Sequence, residues 1–373
     1  MARIALVCEP PDGGVAEHVA QLALGLRAHG HEPVVLAPRE LIASARLAAA
    51  GVEHRPLAMR RDYAHPHHDL AALGALAREL RRGGHELAHG HAAKAGVLSR
   101  LAAAGARIPA VYTPHCLPFV GEISAARRRF GVVVERTLAP LTRAIVCVCE
   151  DERRVALAAR VGPARRLTVI HNGCPPPPPG LVPDPAQSAL RAGGPVVAAI
   201  AVLRRQKRLD VLLDAAPAIL AAVPEARIAI VGDGPEGDAL RAHARRLGLD
   251  REHRLAWLSF NAPSAAHLAA SDVYVLSSSW EAFPIGALEA LASGVPQVVT
   301  DVGGTGEAVT ADTGVLVPPG DPGALAAAVI ALLRDPDRRA RMARASRARH
   351  AERFGIERMV SRTAALYDEV LAR

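Results

Sequence analysis

Residues 195–235 divide by composition into six segments, which read PVVAAIAVL, RRQKR, LDVLLDAAPAIL, AAVPEA, RIAIV and GDGP. The apolar, β-branched run 195–203 predicts a buried strand, and residues 209–220 carry apolar side chains at helical spacing. A second strand, Arg227–Val231, follows and ends in the glycine-rich turn 232–235. A strand, a helix and a strand with short connections form a βαβ unit, which favours a parallel sheet.

The same alternation extends in both directions from this stretch. Towards the N-terminus we predict strands at 3–8, 34–37, 109–113 and 144–148 and a helix at 15–29; towards the C-terminus we predict a helix at 236–247 and strands at 255–258 and 273–276. A chain of 373 residues has room for two domains. We therefore expect an α/β fold of two Rossmann-like, doubly wound domains whose strand ends face a cleft.

Five consecutive prolines, 175–179, separate the two alternating halves. Such a run is stiff and extended, because proline cannot continue a helix or a central strand. We interpret it as the boundary between domains at 1–178 and 179–355, with a last helix at 356–373. The alternative, a ligand for a proline-recognition domain, stays open.

Composition narrows the class of protein. The formal net charge is +8, but aromatic residues make up only 3%, so the stacking platform of a single-stranded nucleic-acid binder is missing. No apolar run approaches the ~18 residues that span a bilayer, and the five cysteines form no CxxC pair. We expect a cytoplasmic protein, with at most peripheral contact at the inner membrane face, no nucleic-acid partner and cysteines that fill apolar space.

Two glutamates carry the strongest chemical signal. Residues 284–293 predict a helix that begins at Pro284 and stops at Gly294, so Glu281 lies in the preceding loop and Glu289 lies within an apolar helix. A buried carboxylate needs a partner, and the hydroxyl groups of a ribose or sugar are suitable donors to it. The backbone N–H groups of Phe283 to Gly286 are expected to face the same ligand.

The two lysines, Lys94 and Lys207, are the only ones among 45 basic residues. Lys207 follows a predicted strand directly, where its compact charge fits between phosphate oxygens; an ordinary exposed lysine is the alternative. Lys94 has the same two interpretations, phosphate binding or a surface salt bridge.

Three further features belong to the expected first domain. Gly13 and Gly14 separate the first strand from the first helix and are suited either to a bound anion or to a tight turn. His115 follows a strand end and could bind a ligand or cap the chain. The other histidines, His89 and His91 among them, are interpreted as solvated loop residues, and the Asp335-Pro-Asp337 turn is not expected to bind metal.

The order of these landmarks resembles that of the retaining glycosyltransferases of family 4, which have the GT-B fold. The residues that carry the resemblance are Gly13-Gly14, Thr113-Pro-His115, Asn172-Gly173, Lys207, Val231-Gly-Asp-Gly-Pro235, Glu281-x7-Glu289, Gly294-Val-Pro296 and Gly303-Gly-Thr-x-Glu307. The resemblance covers nearly the whole chain. It implies transfer of a sugar from a nucleotide-sugar donor, with a UDP-sugar expected, to an acceptor hydroxyl with retention of configuration and without metal or other cofactor.

The resemblance also implies roles for individual residues. Glu289 would hold the donor ribose, Glu281 the transferred sugar and Lys207 the diphosphate, while His115 would contact the sugar near the reacting carbon. The expected catalytic residues are His115, Lys207 and Glu281, and the expected donor-binding residues are Gly13, Gly14, Arg204, Arg205, Lys207, Glu281, Ala282, Phe283, Pro284, Ile285, Gly286 and Glu289. The family also implies an acceptor-binding first domain, a nucleotide-sugar-binding second domain and a last helix that packs on the first.

Two departures from the family pattern stand near the donor residues. Ala201-Val202-Leu203 replaces a Gly-Arg-Leu whose arginine touches phosphate, so Arg204 or Arg205 would compensate for Val202; Ser259 replaces a glycine. A nucleotide-sugar epimerase of the same architecture and a non-catalytic nucleotide-sugar-binding protein remain alternatives. The acceptor is expected at 54–69 and 117–129, and is either a lipid-linked or cell-surface glycan precursor or a small natural-product aglycone.

Overall fold

The computed structural model describes residues 1–59, 66–249 and 254–372. The chain forms two compact units, one made of Met1–Gly173 together with Ile356–Arg373 and the other of Cys174–Gly355. The second unit thus begins at Cys174, immediately before the proline run. Cys174 pairs there with the far end of the same unit, since its N–H donates to the carbonyl oxygen of Phe354 at 3.1 Å.

The first unit is built on a parallel sheet in the order β3-β2-β1-β4-β5-β6-β7. Its strands are β1 (Arg3–Cys8), β2 (Glu32–Ala37), β3 (Glu53–Pro56), β4 (Leu87–His91), β5 (Ala110–Thr113), β6 (Ala144–Cys147) and β7 (Leu167–Val169). Its first six helices are α1 (Gly13–Ala28), α2 (Ser44–Ala49), α3 (Pro66–Arg82), α4 (Ala93–Ala106), α5 (Ala125–Leu138) and α6 (Glu150–Ala158). The strand order reverses between β1 and β4.

The second unit repeats this plan with the order β10-β9-β8-β11-β12-β13, again parallel. Its strands are β8 (Val196–Ile200), β9 (Arg227–Val231), β10 (Leu255–Leu258), β11 (Val273–Leu276), β12 (Gln297–Thr300) and β13 (Gly314–Val317). Its helices are α7 (Pro185–Arg191), α8 (Leu209–Ala222), α9 (Gly237–Arg246), α10 (Ser264–Ala269), α11 (Ile285–Ser293), α12 (Thr305–Ala308), α13 (Pro322–Arg334) and α14 (Pro336–Arg349), followed by a π-turn at His350–Phe354. Here the order reverses between β8 and β11.

The last helix, α15 (Ile356–Leu371), returns to the first unit and packs on α1. Its inner face is buried, with Met359, Val360 and Tyr367 among the core residues around β1. A Cβ on Gly25 of α1 would lie 2.4 Å from a methyl carbon of Val360, so the two helices approach too closely for any larger residue. The predicted packing of the C-terminal helix on the first domain is confirmed.

The predicted alternation of strands and helices is confirmed, with small differences at the ends. The largest concerns β8, predicted to run to Leu203 but ending at Ile200. Residues 201–203 leave the strand because they pack on the next turn, where the N–H of Leu203 donates to the carbonyl oxygen of Asp233 at 3.0 Å. Gly232 permits this at φ +133°, since a Cβ there would lie 2.0 Å from the Ala201 carbonyl oxygen.

Two further expectations concern the surface and the cysteines. Within the described residues, no helix is long and apolar enough to cross a membrane. None of the five cysteines, all of which are described, forms a disulfide; Cys116 is half-buried and the other four are buried. The interpretation of the cysteines as small core residues therefore holds for those four.

Candidate active site

An ion pair lies at the switch point of the second sheet, where the strand order reverses. Lys207 follows β8 and Glu281 follows β11, and the lysine Nζ is 2.5 Å from the glutamate Oε1. The Glu281 side chain is 9% exposed and that of Lys207 is 23% exposed, so the pair can still be reached by a ligand. In open α/β sheets this edge is where ligands bind, because the loops after the two strands diverge there.

Hydrogen bonds hold the two loops of this pair side by side. The Ser278 hydroxyl donates to Glu281 Oε1 at 2.7 Å, and the Ser277 hydroxyl donates to the carbonyl oxygen of Lys207 at 2.9 Å. The Gln206 amide donates to the carbonyl oxygen of Trp280 at 2.8 Å. Lysine and glutamate are therefore fixed by their backbones as well as by their mutual attraction.

A glycine in the loop after β12 packs against the loop that carries Glu281. Gly303 has φ +53°, and a Cβ there would lie 1.8 Å from the carbonyl oxygen of Glu281. The next residue, Gly304, donates its N–H to the carbonyl oxygen of Ala282 at 2.9 Å. The family landmark Gly303-Gly thus has a steric explanation, since only glycine lets this loop lie against residues 281–282.

Helix α11 begins directly beside the ion pair. Pro284 stands at its N-cap, and proline has no side-chain acceptor for the first-turn N–H groups, which include those of Ile285 and Gly286. Gly286 is required by a close contact, because a Cβ there would lie 2.5 Å from the Tyr274 hydroxyl. Phe283 is buried and its ring lies 5.6 Å from that of Phe354, which anchors the start of the helix.

Glu289 lies one turn into α11 and is half-buried. Burial, reinforced by the charge of Glu289, raises the pKa of the Cys174 thiol and that of the Tyr274 phenol. The carboxylate of Glu289 therefore lies near both of these side chains. Arg204 is half-buried and Arg205 is exposed, both in the loop that carries Lys207.

In the first unit, Gly13 and Gly14 form the exposed first turn of α1. Gly13 has φ +74°, a conformation that costs other residues energy, and a Cβ on it would meet nothing within 4 Å. The turn is open, so the space above it can accommodate a ligand.

His115 belongs to a cluster of imidazoles at the carboxyl ends of β4 and β5. It has φ +57°, and its Nε2 lies 3.1 Å from Nδ1 of His91. The ring of His18, from α1, meets it edge-on at 4.5 Å between centroids. Burial lowers the pKa of His18 to about 4 and holds those of His91 and His115 well below the usual value, so all three imidazoles are neutral.

The interpretation of His89 and His91 as solvated loop residues is wrong. Both lie in β4, a strand covered on both faces, and they are 1% and 0% exposed. His89 is hydrogen-bonded through both nitrogens, 2.5 Å from the Tyr367 hydroxyl and 2.8 Å from the Thr113 hydroxyl. The cluster was missed because its members come from separate elements, and their spacing in sequence carries no signal.

Two other charged positions are explained without a ligand. Lys94 is 8% exposed and its Nζ lies 2.8 Å from Asp69 Oδ1, a salt bridge that is more buried than the surface pair expected. Asp335 caps α14 by accepting the N–H of Arg338 at 2.7 Å. Among the described residues, His18, His91 and His115 are the group that could hold a metal ion, with ligand atoms within 4.8 Å of one another. Residues 60–65 of the expected acceptor region lie outside the described residues.

Two doubly wound parallel units with a C-terminal helix that returns to the first define the GT-B fold. A solved structure of Anabaena Alr3699/HepE in complex with UDP-glucose has this fold, with a TM-score of 0.83, 22% identity and coverage of 99% of this chain and 100% of that one. Residues 12–176 match the family Glycosyltransferase Family 4, and residues 183–349 match Glycosyl transferases group 1.

The chain belongs to glycosyltransferase family 4, the retaining enzymes that transfer a sugar from a nucleotide-sugar donor. A D-inositol 3-phosphate glycosyltransferase of Thermobispora bispora is 31% identical over 78% of this chain and 72% of that protein. A phosphatidyl-myo-inositol mannosyltransferase of Mycobacterium leprae is 30% identical over 89% of this chain and 88% of that protein. The recognition of the family and of the GT-B fold from the sequence landmarks is confirmed.

Proposed function

We propose that the second unit binds a UDP-sugar at the β8–β11 switch point and that Lys207 stabilises its diphosphate as the glycosidic bond breaks. The observation that carries this assignment is the 2.5 Å contact between Lys207 and Glu281, a cation and a hydroxyl-binding acid placed together at the ligand edge of the sheet. The relative of the same fold in complex with UDP-glucose supports the choice of nucleotide.

Two positive features serve the diphosphate. Lys207 offers a partly exposed ammonium, and the first-turn N–H groups of α11 offer donors with the helix dipole behind them. Arg204 and Arg205 lie in the lysine loop and would take the place of the arginine that Val202 replaces. These groups neutralise the leaving group by electrostatics, and we propose that the reaction needs no metal.

The two acids serve the hydroxyl groups of the donor. Glu281, already held by Ser278 at 2.7 Å, would accept hydrogen bonds from the transferred sugar, and Glu289 from the ribose. Ala282 to Gly286 would line the sugar and phosphate with backbone groups. Hydrogen bonds to a charged acceptor are the strong ones, so each acid is expected to contribute clearly to donor affinity.

In the proposed reaction, the bond between the anomeric carbon and the diphosphate oxygen breaks and a bond from the acceptor oxygen forms on the same face. The proton of the acceptor hydroxyl passes to the departing diphosphate, whose charge Lys207 stabilises. We propose that His115 contacts the reacting sugar and that the open turn at Gly13 and Gly14 contacts the acceptor. No enzyme nucleophile is required for this retaining path.

For the acceptor, we propose a hydroxyl group carried on a phosphate-bearing molecule. Two relatives named above act on inositol phosphates, one free and one in a lipid. On α5, Phe130 and Val133 are 69% and 59% exposed beside the exposed Arg127 and Arg129. Exposed apolar and cationic side chains on one helix suit an anionic lipid surface, which favours the lipid-linked acceptor over a soluble aglycone.

The experiment is a thermal-shift panel of UDP-, GDP-, ADP- and TDP-sugars, followed by mass spectrometry of products formed with inositol phosphate or phosphatidylinositol vesicles. Stabilisation by a UDP-sugar and a product one sugar heavier are expected. If no nucleotide-sugar raises the melting temperature, the donor site is wrong; if another nucleotide does so better, the donor assignment is wrong.

A further inference from the structure

The hydrogen bond between His91 and His115 raises the question of which imidazole gives the proton. His91 Nδ1 and His115 Nε2 lie 3.1 Å apart, and both rings are neutral, so one nitrogen donates and the other accepts. Each assignment fixes the tautomer of both rings, and therefore decides what the remaining nitrogen of His115 can do.

The environment of the other His91 nitrogen decides between the two assignments. Among the described residues, His91 Nε2 is buried and has no hydrogen-bond partner. A proton there would be a buried, unsatisfied N–H, which is rarer in native structures than an unsatisfied acceptor. The proton of His91 therefore belongs on Nδ1, from which it is donated to His115 Nε2.

We propose that His91 is a positioning residue, and that by donating Nδ1–H to His115 Nε2 it leaves His115 with a proton on Nδ1 for donation to an oxygen of the bound sugar or acceptor. His115 is then a hydrogen-bond donor and not a general base. This role rests on the proposed function of the site, but the tautomer itself does not.

The surroundings hold both rings in place for this role. His91 ends β4, and its ring lies against that of His89, with 4.0 Å between the centroids and 36° between the ring planes. His89 is fixed in turn by Tyr367 and Thr113. His115 is fixed by its left-handed backbone at φ +57°, an uncommon conformation for a residue other than glycine. His115 is the partly exposed member of the cluster, so the ligand would meet it from the open side.

The first measurement is ¹⁵N NMR of the histidine rings in the full chain, with His115→Asn used to assign the signals. We expect His115 to carry its proton on Nδ1 from pH 6 to 8, and His91→Phe to abolish this fixed preference. A protonated Nε2 on His115 would overturn the proposal. This readout does not depend on any substrate, so it stands even if the proposed transfer reaction fails.

The second measurement compares two amide replacements at position 91. Asparagine places an N–H near the site of Nδ1, and glutamine places one near Nε2. With the transfer assay established, His91→Asn should keep kcat within about threefold of the wild type, and His91→Gln should lower it tenfold or more with little change in the donor KM. Equal losses in the two variants, with melting temperatures equal to each other, would contradict a role in positioning.

The third measurement tests the competing use of the cluster as a metal site. Addition of Co²⁺ to the wild-type protein should give no tetrahedral cobalt spectrum, and added Zn²⁺ should not change the ¹⁵N signals of the three rings. A cobalt spectrum that is lost in His91→Phe would show that the three imidazoles chelate, and would overturn the hydrogen-bonded assignment.

Discussion

The two units have the same architecture, but the side chains at the carboxyl edges of their two sheets are neutral in the first unit and charged in the second. In the first unit, the end of β4 and the loop after β5 bring together neutral imidazoles of lowered pKa, among them His91 and His115. In the second, the loops after β8 and β11 bring together a lysine and a glutamate. The first site can therefore exchange hydrogen bonds with hydroxyl groups, whereas the second can meet a charged diphosphate.

The first unit also contains a completely buried ion pair. Arg100 of α4 and Glu135 of α5 are both 0% exposed and form two hydrogen bonds, at 2.8 and 3.2 Å. The Tyr112 hydroxyl donates to the same carboxylate at 3.2 Å, and the guanidinium lies 4.1 Å from the centre of that ring. We therefore expect the Arg100–Glu135 pair to serve stability and the Lys207–Glu281 pair to serve ligand binding, and variants of each pair test this difference.

The largest effect, on the free energy of unfolding, is expected from breaking the Arg100–Glu135 ion pair of the first unit. Glu135→Ala leaves Arg100 charged and buried, which should lower the free energy of unfolding by about 3–5 kcal/mol. Chemical denaturation with intrinsic fluorescence checks this. The double variant Arg100→Met with Glu135→Leu removes both charges and should recover most of the loss; an equal loss in both would show that shape, and not charge, dominates.

In the second unit, Lys207→Ala should reduce kcat by about 10²–10³-fold, the usual result of removing one stabilising donor from a developing negative charge. The melting temperature of the variant without ligand should change little, because the lysine is partly exposed. Arg245→Ala on the exposed face of α9 is the matched control and should behave as wild type. Wild-type turnover in Lys207→Ala would contradict the proposed role of this lysine in stabilising the diphosphate.

The first unit should also show a pH-dependent stability that comes from Glu152. Burial raises the pKa of this carboxyl from 4.5 to about 7, while the N–H of Val148 donates to it at 2.8 Å. Between pH 4.5 and 7 the folded form keeps a proton on Glu152 that the unfolded form has lost, so the contribution of this group to the free energy of unfolding falls by up to about 3 kcal/mol as pH rises.

Glu152→Gln imitates the protonated acid and should abolish most of that decline. Denaturant unfolding at pH 5 and pH 8 measures it: the variant should match the wild type at the lower pH and exceed it at the higher. An equal difference in stability between variant and wild type at the two pH values would contradict the raised pKa of this carboxyl.

The smallest effect concerns the donor ribose. Glu289→Ala should weaken binding of the nucleotide-sugar about tenfold, since hydrogen bonds to a charged acceptor contribute about 1.5–3 kcal/mol. Isothermal titration calorimetry measures the affinity. Glu225→Ala, an exposed acid just before β9 at the opposite edge of the sheet, is the control. Unchanged affinity in Glu289→Ala would contradict the assignment of Glu289 to the donor ribose.

The positions of the candidate residues on strands, loops and helices were easier to predict from sequence in the second unit than in the first. Local sequence rules can interpret the residues that start and stop a helix, such as Pro284 and Gly294 around α11. Such signals lie close to Glu281 and Glu289, and Lys207 directly follows a predicted strand. What local rules could not supply was the contact between Lys207 and Glu281, because it depends on β8 and β11 being neighbours. Strand order is a property of the whole sheet and leaves no mark on either loop alone.

The histidine cluster was beyond such rules for a related reason. His18, His91 and His115 lie on a helix, a strand end and a loop, and only the parallel order β1-β4-β5 gathers them. Their burial could not be predicted either, because histidine is a polar residue that is usually expected at the surface. The one available signal was the His89-Gly-His91 run at a strand end, where alternate residues of a fully buried strand should all be inside.

The return of α15 to the first unit has a consequence for biosynthesis. The face of α1 that receives Val360 is complete only when the last helix has been made, after residues 174–355 have left the ribosome. At ~5–20 residues per second that interval is roughly 10–40 s, during which this apolar face has no cover from its own chain. The second unit, continuous in sequence, can fold while the first still waits, so molecular chaperones would find their target in the half that was synthesised first.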